Sequence, residues 1–254
     1  MRARRILSNV TIAACSLLLA ADALAVDPPR FVLEVEAGPT WQSRNDVQVP
    51  NDASGTRFSM QELVGSGPLP AARLYLTWNV ASRHGVRLLL APLSYTKPGT
   101  FGAPVDFAGA SYAAGTSVDG TYKFNSWRIG YRYQLTDGDR WKLWVGGTVK
   151  IRDAKIALRQ GDTYSEDTDV GFVPLLHFAA TYRAGDRWSV AFDFDGLAGG
   201  PGRALDASLK IGYDLSERWR LTAGYRVLEG GVDIDRVYNF AWFNGAVLSG
   251  VYRF

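Results

Sequence analysis

The sequence predicts an all-β fold: a ten-stranded antiparallel transmembrane β-barrel, formed by residues 26–254 as one domain, with both termini on the same side. Three observations predict it. From Phe31 onward apolar and polar residues alternate with a period of two, the pattern of strands whose two faces meet different surroundings. The connections between the alternating segments are short and long in turn, and aromatic residues come directly after three of the four short connections and end the chain at Phe254.

In the first strand Phe31, Leu33, Val35, Ala37 and Trp41 oppose Glu34, Glu36 and Thr40. Leu74, Leu76, Trp78 and Val80 oppose Arg73, Tyr75, Thr77 and Asn79 in the second, and Val86, Leu88 and Leu90 begin the third. In the fourth, Trp127, Ile129, Tyr131, Tyr133 and Leu135 oppose Arg128, Arg132 and Gln134, and a change of phase near Asn125 suggests a bulge. Trp141, Leu143, Val145, Val149 and Ile151 oppose Lys142, Thr148, Lys150 and Arg152 in the fifth; Val170, Phe172, Leu176, Phe178 and Tyr182 oppose His177, Thr181 and Arg183 in the sixth. The seventh sets Trp188, Val190, Phe192 and Phe194 against Ser189, Asp193 and Asp195, and the eighth sets Leu205, Ala207, Leu209, Ile211 and Tyr213 against Asp206, Ser208, Lys210 and Asp214. Trp219, Leu221, Ala223, Tyr225 and Val227 oppose Arg220, Thr222 and Arg226 in the ninth, and Trp242, Ala246, Leu248, Gly250, Tyr252 and Phe254 share one face of the tenth.

Before the strands stand Arg2, Arg4 and Arg5, an apolar run from Val10 to Ala20, and Ala23-Leu24-Ala25, the form of a secretory signal cleaved after Ala25. Cys15, the only cysteine, lies inside that leader, so no disulfide is expected in the remainder. Ile12-Ala13-Ala14-Cys15 also resembles a lipoprotein cleavage box, which would instead leave Cys15 lipidated. Of the formal net charge of +3, the leader's three arginines and one aspartate supply most. The mature chain is nearly neutral and has no basic stripe, which argues against nucleic acid as a partner. No run approaches the ~18 apolar residues of a membrane helix, so a crossing must be made by strands.

Short connections fall at Ala81 to His84, Thr136 to Arg140, Ala184 to Arg187 and Ser216 to Arg218. Longer or more variable ones fall at Gln42 to Leu69, Thr96 to Val118, Gln160 to Thr168, Ala198 to Gly202 and Gly230 to Asp235. A soluble β-sandwich would alternate as well. Trp141, Trp188 and Trp219, each directly after an Arg at a short turn, form instead the aromatic girdle of a membrane interface. Closure is required because unpaired backbone groups are not tolerated in hydrocarbon.

The last strand resembles the terminal strand of bacterial outer-membrane β-barrels, with Leu248, Tyr252 and Phe254 as its assembly signal. That resemblance implies residence in the outer membrane of a Gram-negative bacterium, periplasmic termini, and contact with the barrel assembly machinery and with outer-membrane lipid and lipopolysaccharide. The stretch from Tyr225 to Phe240 looks like the final hairpin of uncharacterised proteobacterial outer-membrane proteins, which brings a fold without a function. The strand count is similar to that of the omptin outer-membrane proteases. Their paired-Asp and Asp-His signatures are not found at the outer rim and the chain is shorter, so their activity is not carried over.

The inward faces carry Glu34, Glu36, Arg73, Arg128, Arg132, Lys142, Lys150, Arg152, Asp193, Asp195, Asp206, Lys210, Asp214, Arg220 and Arg226. Their balanced signs suggest a salt-bridged plug, with Asp206 facing Arg226; a narrow pore or small-solute pocket is the alternative. The turn at Ala184 to Arg187 would set His177 near Asp193, with Asp195 one inward position further and Ser208 on the next strand. Such a Ser, His and Asp set is the sequence's candidate for hydrolysis of lipid or peptide. Asp162, Glu166, Asp167 and Asp169 in one outer loop, and Glu229, Asp233 and Asp235 in another, read as a solvated rim or as carboxylates for Ca²⁺ or Mg²⁺ shared with lipopolysaccharide phosphates. Ser59 to Val64 reads as a short helical turn folding over the mouth. No metal-ligand cluster or cofactor fingerprint appears, and a monomer without cofactor is expected, structural or solute-binding in role.

Overall fold

A computed structural model describes residues 29–200 and 202–254; the expected leader and Cys15 lie outside the described residues. Alternation becomes ten barrel strands: β1 (Phe31–Gln48), β2 (Leu69–Ala81), β3 in two segments (His84–Ala91 and Ser94–Thr100), β4 (Ser117–Asp137), β5 (Trp141–Gln160), β6 (Thr163–Arg183), β7 (Trp188–Gly199), β8 (Gly202–Asp214), β9 (Trp219–Ile234) and β10 (Val237–Arg253). Each pairs antiparallel with its successor, and β10 pairs with β1 from Val32↔Arg253 to Gln48↔Tyr238, which closes the barrel and leaves neither β1 nor β10 as a free edge. Among the described residues no helix is long and apolar enough to cross a membrane, which says nothing about crossing by strands.

Outward faces are apolar over a defined height. Val35, Leu74, Leu88, Ile129, Leu176, Leu209, Leu221 and Leu248 are all exposed on the wall. At the end that holds Phe31 and Phe254, this belt is bounded by an aromatic pair on every hairpin: Phe31 with Trp78, His84 with Tyr133, Trp141 with Tyr182, Trp188 with Tyr213, and Trp219 with Tyr252. The three tryptophans read from the sequence each meet a tyrosine of the neighbouring strand, with centroids 4.7–4.8 Å apart. At the other boundary outward pairs turn ionic, as in Lys123–Asp153 at 2.6 Å and Lys155–Glu166 at 2.7 Å. Between Trp141 and Asp153, β5 supplies the ~9–11 residues that a tilted strand needs to cross hydrocarbon.

Four features differ from the sequence reading. β4 keeps one phase through Asn125: Tyr122, Phe124, Ser126 and Arg128 all point inward and are buried, so the interior changes from apolar to charged while the backbone stays regular. The register shift in β4 lies between Gln134 and Thr136. β3 is interrupted at Pro92 and Leu93. Three of the five expected outer loops are tight turns, because β5 and β6 pair up to Gln160↔Thr163, β7 and β8 to Gly199↔Gly202, and β9 and β10 to Ile234↔Val237. Glu166, Asp167, Asp169, Glu229 and Asp233 therefore sit on strands.

The two remaining loops fold into the barrel mouth. Ser59 caps a short helix, α1 (Met60–Val64), through its Oγ, which accepts from the Glu62 N–H at 3.2 Å. Met60, Leu63 and Val64 enter a buried apolar cluster with Val47, Phe58, Leu93, Tyr95, Phe107, Tyr112, Tyr122, Phe124, Leu158 and Phe243. The helix approaches so closely that a Cβ at Gly99 would lie 1.8 Å from the Leu63 carbonyl oxygen, so only glycine fits there. Gln42 ties this plug to the wall: its Nε2 donates to the Gly65 carbonyl at 2.6 Å and its Oε1 accepts from the Tyr95 hydroxyl at 2.6 Å.

Candidate functional site

Beneath the apolar plug the inward residues form a charged layer that crosses the lumen. Lys210 on β8 donates to Glu34 at 2.5 Å and Glu36 at 3.0 Å on β1. Arg226 on β9 grips Glu36 through Nε and Nη2 at 2.8 and 3.1 Å and reaches Asp206 at 2.5 Å. Asp206 also accepts from Arg73 at 2.7 Å and Arg128 at 2.6 Å, and the other terminal nitrogen of Arg128 meets Asp195 at 2.9 Å. Arg87 closes the chain on Asp193 at 2.5 Å and Asp195 at 3.2 Å. Tyr75 stands among them, its ring centroid 5.5 Å from the Arg87 guanidinium carbon and 6.0 Å from that of Arg226. Charges taken out of water require such partners, and nearly every carboxylate here has at least two.

Arg87 escapes a reading of the sequence because it sits inside the apolar run from Val86 to Ala91. Its parity with the inward Leu89 is the available signal. Strand register also corrects two pairings. Asp206 lies opposite Leu228, and Arg226 lies opposite Ser208, so their contact is diagonal and made by the length of the arginine. His177 lies opposite Asp195, not Asp193, and its Nδ1 is 2.9 Å from the Asp195 carboxylate.

The expected Ser, His and Asp set is only partly assembled. His177 Nε2 and Ser208 Oγ are both buried without a hydrogen-bond partner, so the link between nucleophile and base that hydrolysis needs is not formed. Ligand atoms of His177, Asp193 and Asp195 lie within 4.8 Å of one another, close enough to share an ion. The Arg87 guanidinium already occupies that position as their cation, with Nη2 3.4 Å from His177 Nδ1.

Other expected lumen residues lie outside this layer. Lys150 is wholly buried and rests against the Phe124 ring, its Nζ 4.2 Å from the centroid. Arg132 stacks over Trp144 at 5.3 Å, and with Asn79, Ser189, Arg183 and Asp214 it lines a recess of about 430 Å³ on the terminus side of the layer. Arg220 and Arg253 clamp Asp214 there at 2.7 and 2.8 Å, and Lys142 pairs with Asp137 at 2.9 Å. Nearer the tight turns at the opposite end Arg152 pairs with Asp169, Arg236 with Asp167 and Asp169, and Arg203 with Glu229. Leu248 and Tyr252 face outward on β10, Phe254 follows the strand exposed, and the Tyr252 and Phe254 rings meet edge-on at 4.7 Å.

No protein-family profile matches the chain, and no curated protein matches it. Among solved structures it is similar to the outer membrane protease OmpT from Escherichia coli, at a TM-score of 0.56 and 8% identity over 92% of this chain and 99% of that one. It also matches an outer membrane channel from Pseudomonas putida F1, at 0.43 and 11% identity over 92% and 100%, and Ail of Yersinia pestis, at 0.35 and 10% over 86% and 97%. The first likeness shows the fold alone: a closed, ten-stranded barrel of the outer-membrane kind.

Proposed function

We propose that this protein is a closed barrel of a Gram-negative outer membrane, with termini toward the periplasm and the two long loops toward the outside. Its role is structural, as a monomeric envelope protein in contact with outer-membrane lipid and lipopolysaccharide. The observation that carries this reading is the layered interior, in which the chain of ion pairs from Glu34 to Asp193 spans the lumen and a packed apolar plug lies above it. The recess of about 430 Å³ opens on one side only of this barrier, so it suits a bound small solute better than a conducted one. The belt of exposed apolar residues between aromatic pairs and outward ion pairs supports the membrane placement.

Single-channel recording of the refolded protein in a planar bilayer tests the reading. Wild type gives no discrete openings at neutral pH, and Asp206→Ala, which disturbs only the charged layer, also stays silent because the apolar plug remains. Discrete wild-type openings would overturn the closed reading.

A further inference from the structure

The barrel wall has a gap. β2 and β3 are paired from Ala81↔His84 to Leu74↔Leu90, and there the ladder stops. β2 nevertheless continues to Leu69 along β1, and β3 resumes at Ser94 and continues to Thr100 along β4. No backbone hydrogen bond joins residues 69–73 to residues 91–100, although both stretches stand at the same height. Pro70 on one lip and Pro92 on the other lack an N–H, which removes donors that would otherwise be stranded at an open edge.

A hollow lies on each side of this gap. Outside, Pro39, Pro70, Ala72 and Ser94 line a groove in the wall. Inside, a cavity of about 40 Å³ is walled by Leu93, Phe124, Leu228, Phe243 and Val247, above a floor of Glu36, Arg73 and Arg226. The two spaces share Ala37, Gly38, Ala71, Ala72 and Pro92, so they adjoin across this one stretch of wall. The gap opens at the upper margin of the apolar belt, where Ser94 lies opposite Lys123, and irregular backbone there is tolerated because it lines a cavity.

We propose that this seam admits the acyl chain of a membrane lipid from the bilayer into the barrel. Its outer mouth borders the exposed belt residues Val35, Leu74 and Leu90, where lipid is the neighbour. The inner walls are apolar, and the charged floor is already paired, Arg73 and Arg226 with Glu36 and Asp206, which leaves the headgroup outside. An apolar cavity of ~150 Å³ holds benzene, so the smaller space here takes the end of an unbranched chain and excludes rings and branches.

The inference rests on the membrane placement proposed above, and one experiment separates the two. The refolded protein is placed in vesicles of phosphatidylethanolamine and phosphatidylglycerol in which the phosphatidylethanolamine carries a diazirine at the end of one acyl chain, then irradiated and mapped by peptide mass spectrometry. Adducts on the inward Phe124, Leu228 or Phe243 are expected besides those on the outward Leu74, Leu90 and Leu176. Adducts on outward residues alone would overturn the seam, and absence of adducts on outward residues would overturn the membrane placement as well. Ala71→Phe, which fills the passage, is expected to abolish inward adducts and spare outward ones; inward adducts at wild-type level in this variant would overturn the seam as their route. If Ala71→Phe does not fold, the wild-type map still decides, and Ala72→Leu narrows the outer mouth with the same expectation.

Discussion

The guanidinium of Arg128 lies 2.6 Å from the carboxylate of Asp206, joining β4 to β8 across the barrel. Both side chains are buried, and Arg128 also holds Asp195. Removing one partner leaves charge without compensation in a low-dielectric interior. Arg128→Met is therefore expected to lower stability by ~3–5 kcal/mol, measured by urea unfolding of the refolded protein in vesicles. A loss below ~1 kcal/mol would mean that water reaches this layer freely.

Arg87 and His177 both contact Asp195, with unequal weight. Asp195 without His177 keeps Arg87, Arg128 and the Thr148 hydroxyl, whereas Asp193 without Arg87 loses the partner that holds it through two nitrogens. His177→Gln is expected to cost ~1–2 kcal/mol, and Arg87→Met clearly more, in the same unfolding assay. The reverse order would return His177 to the centre of the site.

Lys150 invites the opposite result. Its ammonium is buried against Phe124 rather than against a carboxylate. Lys150→Met keeps the aliphatic stem and removes the charge, and it is expected to stabilise the barrel by ~1–3 kcal/mol. A destabilised variant would reveal a carboxylate or other anionic partner for this lysine in solution.

Leu176 distinguishes a membrane barrel from a water-soluble one. It is 63% exposed and midway along β6 between Tyr182, at the aromatic boundary, and Val170, opposite Asp153. In a bilayer Leu176→Arg is expected to cost ~2–4 kcal/mol. A neutral or stabilising effect, by the same urea titration, would mean that water bathes this face.

Much of the fold is legible in the sequence. Alternation marks the faces of all ten strands, and the spacing of Trp141, Trp188 and Trp219 marks one boundary. The features that escape are long-range or depend on context. Tyr122 and Phe124 look out of phase wherever apolar residues are taken to face outward, while in the upper barrel they pack on α1 and the folded loops. Register is misplaced by two residues at His177 and Asp206, since a sequence marks a turn without fixing which residues sit opposite. The seam between β2 and β3 leaves only Pro70 and Pro92 as signs, and neither says that its strand lacks a neighbour.

The aromatic pairs give each hairpin its own level mark. Because a pair sits at the base of all five hairpins, a hairpin could come to rest at the correct depth before its neighbours arrive. A slip of two residues in either strand would keep every side chain on its proper face, yet would separate the two rings of its pair. The ring of pairs thus penalises the one error that hydrophobic alternation cannot detect.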